Sequence, residues 1–379
     1  STSSFFFMLL FLFALNVSIA GAYIALFLLL PAFMYRIGRH RLSLPEQPRF
    51  FWFTLVFAGA TLISTAFSTD RVASIKDNRD LLNFLIIPML TLILFSARRI
   101  QWALATLFGS TVLASIVGLF ITLQRKLNNQ EAISLDNRLK GFTSHWMTYS
   151  GLLMLSFVFF LVYQHYESNK TVRKAIIGGL AVMAVPIILA QTRSVWVGIV
   201  VSITLFLLSF NWKRILVFIP IILILYVLSP QPIQERIRSI TDINSPSNRD
   251  RIHMTYTAWE IFKEFPWTGL GANNVAAAYH QYRHPDSTQD NMHLHNNFLQ
   301  ILAERGIVGL AAFLILFWFI ILDLLKVSKG EKTEKSSVIA KASLFSLISF
   351  LVAGLFEYNF GDTEICFLLL FFITLPFLP

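Results

Sequence analysis

The stretch Ala175–Phe210, AIIGGLAVMAVPIILAQTRSVWVGIVVSITLFLLSF, carries a single charged residue, Arg193. As one helix, its 36 residues would be about 54 Å long, whereas the hydrocarbon core of a bilayer is about 30 Å thick. The stretch is therefore predicted to form two membrane-spanning helices, with Arg193 at or near the turn between them. An arginine at such a place is costly unless it has an anionic partner, so the identity of that partner decides the function.

The composition of the whole chain is that of a membrane protein. Hydrophobic residues make up 55% of it, the mean hydropathy is +0.63, and 37 residues are phenylalanine. Long uninterrupted apolar runs are typical of helical spans and exclude an outer-membrane barrel, whose strands alternate. The single cysteine excludes an internal disulfide framework and a thiolate metal cluster. We expect the first apolar run to be retained as a span, since no clear small-residue cleavage site follows it.

The apolar runs predict an all-α, polytopic integral membrane protein with about twelve transmembrane helices. The first two runs form either a hairpin of short helices or one long tilted helix. Nine helices are expected in residues 1–228, a large loop or helical cap in 229–305, and three further helices in 306–379. The predicted spans are 5–18, 20–35, 51–67, 81–96, 100–123, 147–163, 174–191, 194–210, 214–228, 306–326, 338–356 and 363–378.

The charges of the connecting loops predict the orientation. One alternate set of loops holds 16 Lys and Arg residues against 5 acidic residues, which leaves the opposite set slightly negative. By the positive-inside rule the first set is cytoplasmic, and so are both termini. The net charge of +10 is therefore a signal of topology in a lipid bilayer, and we expect no nucleic-acid partner.

The outward block Ser229–Arg305 has 77 residues, much longer than an ordinary connection, so we expect it to be functional. Helical spacing over Arg251–Phe265 predicts a helix that ends at the turn Pro266–Gly269. The run Gly269–Asn274 is not a nucleotide-binding fingerprint, because no βαβ unit surrounds it. It is predicted to be a backbone turn.

Three residues predicted on the outward side, Arg193, Arg251 and His295, have side chains suited to chemistry. The planar guanidinium group matches phosphate oxygens, so two arginines facing one cleft would suit a lipid diphosphate. The alternatives are a snorkelling interfacial arginine for Arg193 and a solvated charge beside Arg249 for Arg251. The imidazole of His295 suits a general base, or else it caps the helix that follows.

Metal and nucleotide chemistry are not indicated. His293 and His295 could bind zinc together on a strand, but no third ligand lies at a characteristic spacing. No Walker motif or Asp-x-Asp pair is present, so no nucleotide donor and no cofactor are expected. The acids Glu357, Asp362 and Glu364 at the outer mouth either contact substrate hydroxyls or are solvated loop charges.

Several of these segments, taken together, resemble the O-antigen ligase (WaaL) family, whose superfamily also contains the Wzy-type polymerases. The resemblance covers nearly the whole chain, with about twelve spans and a large periplasmic loop before the last three. The motifs are Gln191-Thr192-Arg193-Ser194, Arg251 with Pro266-x-x-Gly269-x-Gly271, and His295-Asn296-x-x-Leu299-Gln300 with Glu304-x-Gly306. Further similar segments are Arg138-Leu-Lys-Gly141-Phe142 and Phe356-Glu357 with Gly361-Asp362-x-Glu364.

The resemblance implies a GT-C-like, inverting, metal-independent glycosyltransferase of the Gram-negative inner membrane, active at the periplasmic face. The donor would be a glycan on undecaprenyl diphosphate, and the acceptor a sugar hydroxyl of lipid A–core, in lipopolysaccharide biosynthesis. It implies that His295 is the base that deprotonates this hydroxyl, while Arg193 and Arg251 hold the diphosphate. The secondary substrate-binding candidates are Arg138, His293, Glu357, Asp362 and Glu364.

Two other functions compete with the ligase. A Wzy-like polymerase differs chiefly in its acceptor, which would be a second lipid-linked repeat, and the long single cap favours the ligase over it. A lipid or solute transporter would need ionisable residues in the middle of its spans and an internal repeat. The sequence shows neither feature. Its unusual residues cluster at one face, which leaves the middles of the spans nearly uncharged, and no internal repeat is seen.

Overall fold

The computed structural model describes residues 2–40, 45–128, 138–287 and 289–378, and the regular structure in these ranges is helical throughout. The prediction of an all-α fold is confirmed. Short 3₁₀ segments lie at Asn78–Leu85, Trp212–Arg214, Asn359–Gly361 and Leu375–Phe377, and a π-helical turn lies at Val327–Glu331. The α-helices are α1 Thr2–Ala14, α2 Ile19–His40, α3 Arg49–Ala66, α4 Arg71–Asp77, α5 Ile86–Ile93, α6 Ala97–Leu127, α7 Trp146–Tyr166, α8 Lys170–Leu189, α9 Arg193–Leu208, α10 Ile215–Leu228, α11 Gln231–Arg238, α12 Pro246–Glu264, α13 Val275–Tyr282, α14 Asn297–Lys326, α15 Glu334–Ala353 and α16 Thr363–Thr374.

The helices agree with a polytopic membrane protein. Within the described residues, 6 helices are long and apolar enough to cross a membrane, judged by length and composition: α3, α6, α7, α8, α14 and α15. The helices α1, α9 and α16 and the first part of α2 are apolar but shorter. Helical structure coincides with all of the predicted runs, while the number of twelve spans stays a prediction.

The stretch 175–210 divides as its length requires. Helix α8 ends at Leu189 and α9 begins at Arg193, so two helices with Arg193 at the turn are confirmed. Gln191 turns the chain with a φ of 53°. At the start of the chain, α1 and α2 are separate helices, which selects the hairpin over one long helix.

The run predicted as one span at 81–96 is divided. Its first part is the 3₁₀ segment Asn78–Leu85, and only the eight residues of α5 that follow are α-helical and fully buried. Asp80 and Asn83 put polar side chains three residues apart, a spacing that a 3₁₀ helix aligns along one side. The polar residues therefore share one side of this segment.

Helices α7 and α15 are the most buried of the long helices. Small residues allow their neighbours to approach closely, as is usual between helices in membranes. Ser202 Oγ on α9 donates to the Phe345 carbonyl oxygen on α15 at 2.6 Å, and Ser346 Oγ on α15 donates to the Leu155 carbonyl oxygen on α7 at 3.0 Å. These contacts fix the frame that carries the site.

The block 229–305 contains α11, α12 and α13, with a small apolar cluster of its own that includes Met254, Ile261 and Tyr279. The helix predicted at Arg251–Phe265 is confirmed, but it begins earlier, at Pro246. Proline suits the first position of a helix because the missing N–H would have no partner there. The predicted turns are also confirmed: Gly269 N–H donates to the Phe265 carbonyl oxygen at 3.1 Å, and Gly269 has a φ of 65°.

Candidate functional site

Two adjacent asparagines hold the segment that carries His295. Asn296 caps α14, and its Nδ2 donates to the Leu355 carbonyl oxygen at 2.8 Å. The backbone N–H of Asn297 donates to the Gly354 carbonyl oxygen at 2.8 Å. A Cβ atom on Gly354 would lie 2.3 Å from Asn297 Nδ2, so this approach requires glycine. The chain before α14 and the chain after α15 are therefore locked side by side.

This contact places two histidines against one carboxylate. His295 Nδ1 lies 3.0 Å from both Oε1 and Oε2 of Glu357, and His293 Nε2 lies 3.3 Å from Oε1. His293 and His295 both precede α14, so the divergence of neighbouring side chains on a helix does not separate them. His295 has a φ of 44°, in the left-handed region that residues other than glycine seldom adopt and that is enriched at functional sites.

Glu357 is buried, with 8% of its surface exposed, so it is not a solvated loop charge. Burial alone would raise the pKa of Glu357, but hydrogen bonds from His293 and His295 outweigh burial and hold it below its usual range. An ionised carboxylate accepts the Nδ1–H of His295, which leaves the lone pair on Nε2. A carboxylate that orients an imidazole in this way makes it a better base.

The same three side chains form a group that could hold a metal ion. The ligand atoms of His293, His295 and Glu357 lie within 4.8 Å of one another. Glu357 is 62 residues away from His295 in the chain, so a search for a third ligand at a local spacing does not find it. The geometry thus supplies the third ligand that the sequence pattern lacked.

Arg193 is 7% exposed, and its four hydrogen bonds to described residues all go to uncharged oxygens of the block 229–305. Its Nη1 donates to the carbonyl oxygen and the hydroxyl of Ser239, and its Nη2 donates to Ser247 Oγ and Asn248 Oδ1, each at 2.7 Å. In the part of the chain that the structure describes, Arg193 has no carboxylate partner. Its guanidinium charge is therefore held in place without being neutralised.

Arg251 and Arg236 lie beside Arg193. Arg251 Nε donates to the Phe356 carbonyl oxygen at 3.2 Å, next to Glu357, whereas the neighbouring Arg249 is exposed. Arg236 Nε donates to the Gln191 carbonyl oxygen at 3.2 Å. Burial and, after it, the positive charges of Arg138, Arg193 and Arg251 lower the pKa of Arg236 to about 9. The arginines form a concentrated positive region.

Two cavities adjoin the segment 355–357. The first, which we call the arginine cavity, has a volume of about 300 Å³ and is lined by Arg193 and Arg251 together with Leu355 and Phe356. The second, which we call the acidic cavity, has a volume of about 440 Å³ and begins at Glu357. Because consecutive residues line the two cavities, the segment 355–357 stands at the wall between them. Glu357 and His293 line the acidic cavity, whereas His295, which contacts Glu357, lines neither cavity.

The remaining predicted residues lie around this wall. Asp362 accepts a hydrogen bond from Thr148 Oγ1, caps α16 and lines the acidic cavity. Glu364 lies in the first turn of α16 and lines neither cavity. Arg138 stacks over the Trp146 ring at 5.1 Å, and its charge contributes to the lowered pKa of Arg236.

Several residues of the site were not found by sequence reasoning. Arg236 is half-buried against Gln191 while Arg238, two residues later, is exposed, and no local pattern separates them. His145 lines the acidic cavity, where burial lowers its pKa and the carboxylates of Glu357 and Asp362 oppose that shift. His145 is the N-cap residue of α7. The start of that helix is therefore the one sequence feature that could have pointed to His145.

The helices described above define the class of the protein, an all-α polytopic membrane protein. Residues 178–314, which include Arg193, Arg251 and His295, match the family model described as O-antigen ligase. The teichuronic acid biosynthesis protein TuaE of Bacillus subtilis is 28% identical over 110 residues, which are 29% of this chain and 22% of that protein. Together the two matches support the resemblance to the O-antigen ligase/Wzy superfamily. They support a ligase- or polymerase-type function in polysaccharide biosynthesis.

Proposed function

We propose that the protein is an O-antigen ligase at the periplasmic face of a Gram-negative inner membrane. It transfers a glycan from undecaprenyl diphosphate to a sugar hydroxyl of lipid A–core, with inversion and without a metal. The observation that carries this proposal is the contact of the His295 imidazole with Glu357, which lines the acidic cavity next to two residues, Leu355 and Phe356, that line the cavity of arginines. The family match supports the type of reaction.

The arginine cavity receives the donor. Arg193 and Arg251 provide two guanidinium groups, and none of the described residues that line this cavity is a carboxylate, which suits the two charged phosphates of the donor. Arg193 is also the first residue of α9, where the helix dipole adds positive potential. Apolar residues such as Ile243 and Ile252 complete the lining and suit the prenyl chain.

The transfer is a single displacement at the anomeric carbon. His295 Nε2 accepts the proton of the acceptor hydroxyl while the oxygen forms the new glycosidic bond. The bond from the anomeric carbon to the diphosphate oxygen breaks, and its electron pair stays on that oxygen. Arg193 and Arg251 stabilise the charge that develops there, and removing one such donor typically costs about 2.7–4 kcal/mol. Attack from the side opposite the leaving group inverts the configuration.

A Wzy-type polymerase is the second candidate. It uses the same donor and the same base, and its acceptor is another lipid-linked repeat. The family match does not distinguish the two, so the acceptor decides between them. A transporter would use ionisable residues inside a continuous pathway, whereas here His295 is held by Glu357 at a wall.

The test uses the purified protein in lipid nanodiscs with polyprenyl-diphosphate glycan as donor. Transfer to lipid A–core is measured by mass spectrometry in the presence of EDTA and without nucleotide. We expect transfer by the wild type, and loss of it in His295→Ala and Arg251→Ala with unchanged thermal unfolding. Transfer that requires a divalent metal would overturn the metal-independent mechanism and point to the group His293, His295 and Glu357.

Matched controls are available for each change. His280→Ala alters a histidine whose side chain is 73% exposed, and Arg249→Ala alters the exposed neighbour of Arg251. Both controls should transfer at the wild-type rate. A second lipid-linked repeat replaces lipid A–core in a parallel reaction, and exclusive use of that acceptor would show a polymerase.

A further inference from the structure

Two histidines from the segment before α14 share one carboxylate. His295 Nδ1 lies 3.0 Å from Glu357 Oε1, and His293 Nε2 lies 3.3 Å from the same oxygen. Two ligand atoms of a tetrahedral zinc ion, each about 2.0–2.1 Å from the metal, are about 3.3–3.4 Å apart. The three ligand atoms lie within 4.8 Å of one another. The side chains therefore converge closely enough to bind one ion with small movements.

The types of these three side chains favour zinc over the common divalent cations. Two imidazoles and one carboxylate are a set of three protein ligands that binds zinc and leaves a fourth position open. Magnesium and calcium prefer oxygen ligands, so imidazoles bind them poorly. The backbone N–H of Tyr358 donates to Glu357 Oε1 at 3.1 Å, and such an outer contact orients a ligating carboxylate.

A cation can reach this group through the acidic cavity. His293 and Glu357 line that cavity, and the His293 side chain is 37% exposed. Among the described residues, five acidic side chains and one arginine line the cavity: Asp77, Asp80, Glu304, Glu357, Asp362 and Arg305. A cavity with a negative balance of charge attracts cations and raises their local concentration.

A metal ion at this group would change the protonation of the His295 ring. Without metal, the ring donates its Nδ1–H to Glu357 and keeps a lone pair on Nε2, which accepts the proton of the acceptor hydroxyl. A metal on Nδ1 uses the lone pair of that nitrogen, so the ring proton moves through water from Nδ1 to Nε2 with no net gain or loss. Nε2–H has no lone pair to offer. Metal binding and action as the base therefore exclude each other.

We propose that His293, His295 and Glu357 form a zinc site whose occupancy inhibits the transfer. The ion is bound by His293 Nε2, His295 Nδ1 and a Glu357 carboxylate oxygen, and water from the acidic cavity completes the coordination. This inference rests on the proposed function, because it assigns an inhibitor to the base of the same reaction. Zinc acts on the base and leaves Arg193 and Arg251 free to hold the donor.

The first test measures zinc binding without any donor. The wild-type protein in lipid nanodiscs, with its affinity tag removed, is treated with EDTA and then transferred to metal-free buffer. Calorimetric titration with zinc chloride, corrected for empty nanodiscs, should show a saturable site, and magnesium chloride should show none. X-ray absorption at the zinc edge should then show two imidazole ligands on the bound ion. This result does not depend on the folding of any variant.

Variants connect the binding to these side chains. His293→Gln should weaken zinc binding at least about 10-fold, since even the loss of an outer contact typically costs about 10- to 100-fold in metal affinity. The matched control is His284→Gln, which alters another close pair of histidines, His253 and His284, with ring centroids 4.5 Å apart. The control should bind zinc as the wild type does. Thermal unfolding in EDTA compares the folding of both variants with that of the wild type.

The second test measures inhibition. A chelator buffer sets the free zinc concentration, so that zinc bound by the diphosphate donor does not alter it. Zinc should suppress transfer by the wild type at concentrations near its calorimetric Kd, excess EDTA should restore transfer, and magnesium should have no effect. His293→Gln, measured against its own rate without zinc, should need at least about 10-fold more zinc for the same fractional loss.

The inference is overturned if the wild type binds no zinc, if the bound ion has fewer than two imidazole ligands, or if His293→Gln binds zinc as tightly as the wild type. It is also overturned if transfer continues or rises when the site is filled. Calorimetry and X-ray absorption need no donor, so they are decided separately from transfer. Zinc bound at this group together with no transfer in EDTA would count against the proposed function alone.

Discussion

Arg305 and Arg193 are buried to almost the same extent, with 6% and 7% of their surfaces exposed, but their partners differ. Arg305 Nη1 lies 2.6 Å from Glu304 Oε2, and Arg305 Nη2 lies 3.7 Å from Asp77 Oδ2. Arg193 makes its contacts with serine and asparagine oxygens. One arginine is neutralised within the protein, and the other keeps its charge.

This difference separates a structural charge from one that is available to a ligand. A buried ion pair is already compensated, so an added anion gains little from Arg305. An oriented but uncompensated guanidinium gains strongly from an anion, because the hydrogen-bonding geometry is already fixed. Burial alone therefore does not identify the anion site, whereas the lack of a carboxylate partner among the described residues does.

The largest effect on folding is expected from Arg305→Ala. Removal of this side chain leaves Glu304 buried without its cation, which typically costs about 3–5 kcal/mol. The measurement is thermal unfolding in nanodiscs, with recovery of monodisperse protein as a second readout. A variant that also carries Glu304→Gln should recover part of the loss. Unfolding of Arg305→Ala at the wild-type temperature would contradict the structural role.

Arg193→Ala should instead reduce transfer, by roughly 10²- to 10³-fold in kcat. The measurement is the rate of glycan transfer at saturating acceptor. Because Arg193 also links α9 to Ser239 and Ser247, Arg193→Lys serves as a second variant that keeps the charge but loses the fork of donors. Added polyprenyl diphosphate should raise the unfolding temperature of the wild type more than that of either variant. Equal stabilisation of all three proteins would refute the assignment of the anion.

The sequence predicts the fold best where one physical requirement dominates. The length of the apolar run 175–210 demands two helices, and the structure ends α8 at Leu189 and begins α9 at Arg193. The run 81–96 misled the prediction, because its apolar content is high while its polar residues at 80 and 83 lie on one side of a 3₁₀ segment. Hydrophobicity alone does not distinguish a span from such a segment.

For the site, the sequence supplies single residues but not their partners. Local motifs single out Arg193, Arg251 and His295. The structure places both arginines in one cavity and places His295 against Glu357, the residue that follows Phe356 of that cavity's lining. The contact between His295 and Glu357 joins residues 62 positions apart, and it depends on how α14 packs beside the end of α15. Burial likewise distinguishes Arg236 from Arg238 on the same short helix. Such differences arise from tertiary packing, which local spacing does not encode.

Glu357→Gln should lower transfer about 10- to 100-fold, the usual effect of removing a carboxylate that orients an active imidazole. Because His293 and His295 hold its pKa below the usual range despite burial, ionised Glu357 contributes stability above its unfolded pKa of about 4.3. That contribution is lost only as the pH falls through the lower folded-state value. The wild type should therefore unfold at a higher temperature than the variant at pH 7 and at pH 5.

The difference between the wild type and Glu357→Gln should shrink below about pH 4. Unfolding temperatures at pH 7, 5 and 3.5 test this, with Glu235→Gln at an exposed position of α11 as the control. A difference that disappears already at pH 6 would mean that the histidines do not hold the carboxylate as described.

The smallest effect is expected from Arg236→Gln, and its sign depends on the ligand. The pKa of Arg236 is about 9 in the fold, below the ordinary 12.5, because burial and then the charges of Arg138, Arg193 and Arg251 disfavour the cation. A lowered pKa of a cation means that its charge destabilises the fold below about pH 9, and that this penalty fades at higher pH.

Without ligand, the variant should be more stable at pH 7 by about 1 kcal/mol or less, since solvent screens a half-buried group. The advantage should decrease at pH 10. With polyprenyl diphosphate bound, the order should reverse, because the anion then uses the charge. Thermal unfolding with and without the diphosphate measures the stability difference between variant and wild type in both states. A variant that is less stable than the wild type in both states would mean that Arg236 is a structural cation like Arg305, and the positive region would then be limited to the other three arginines.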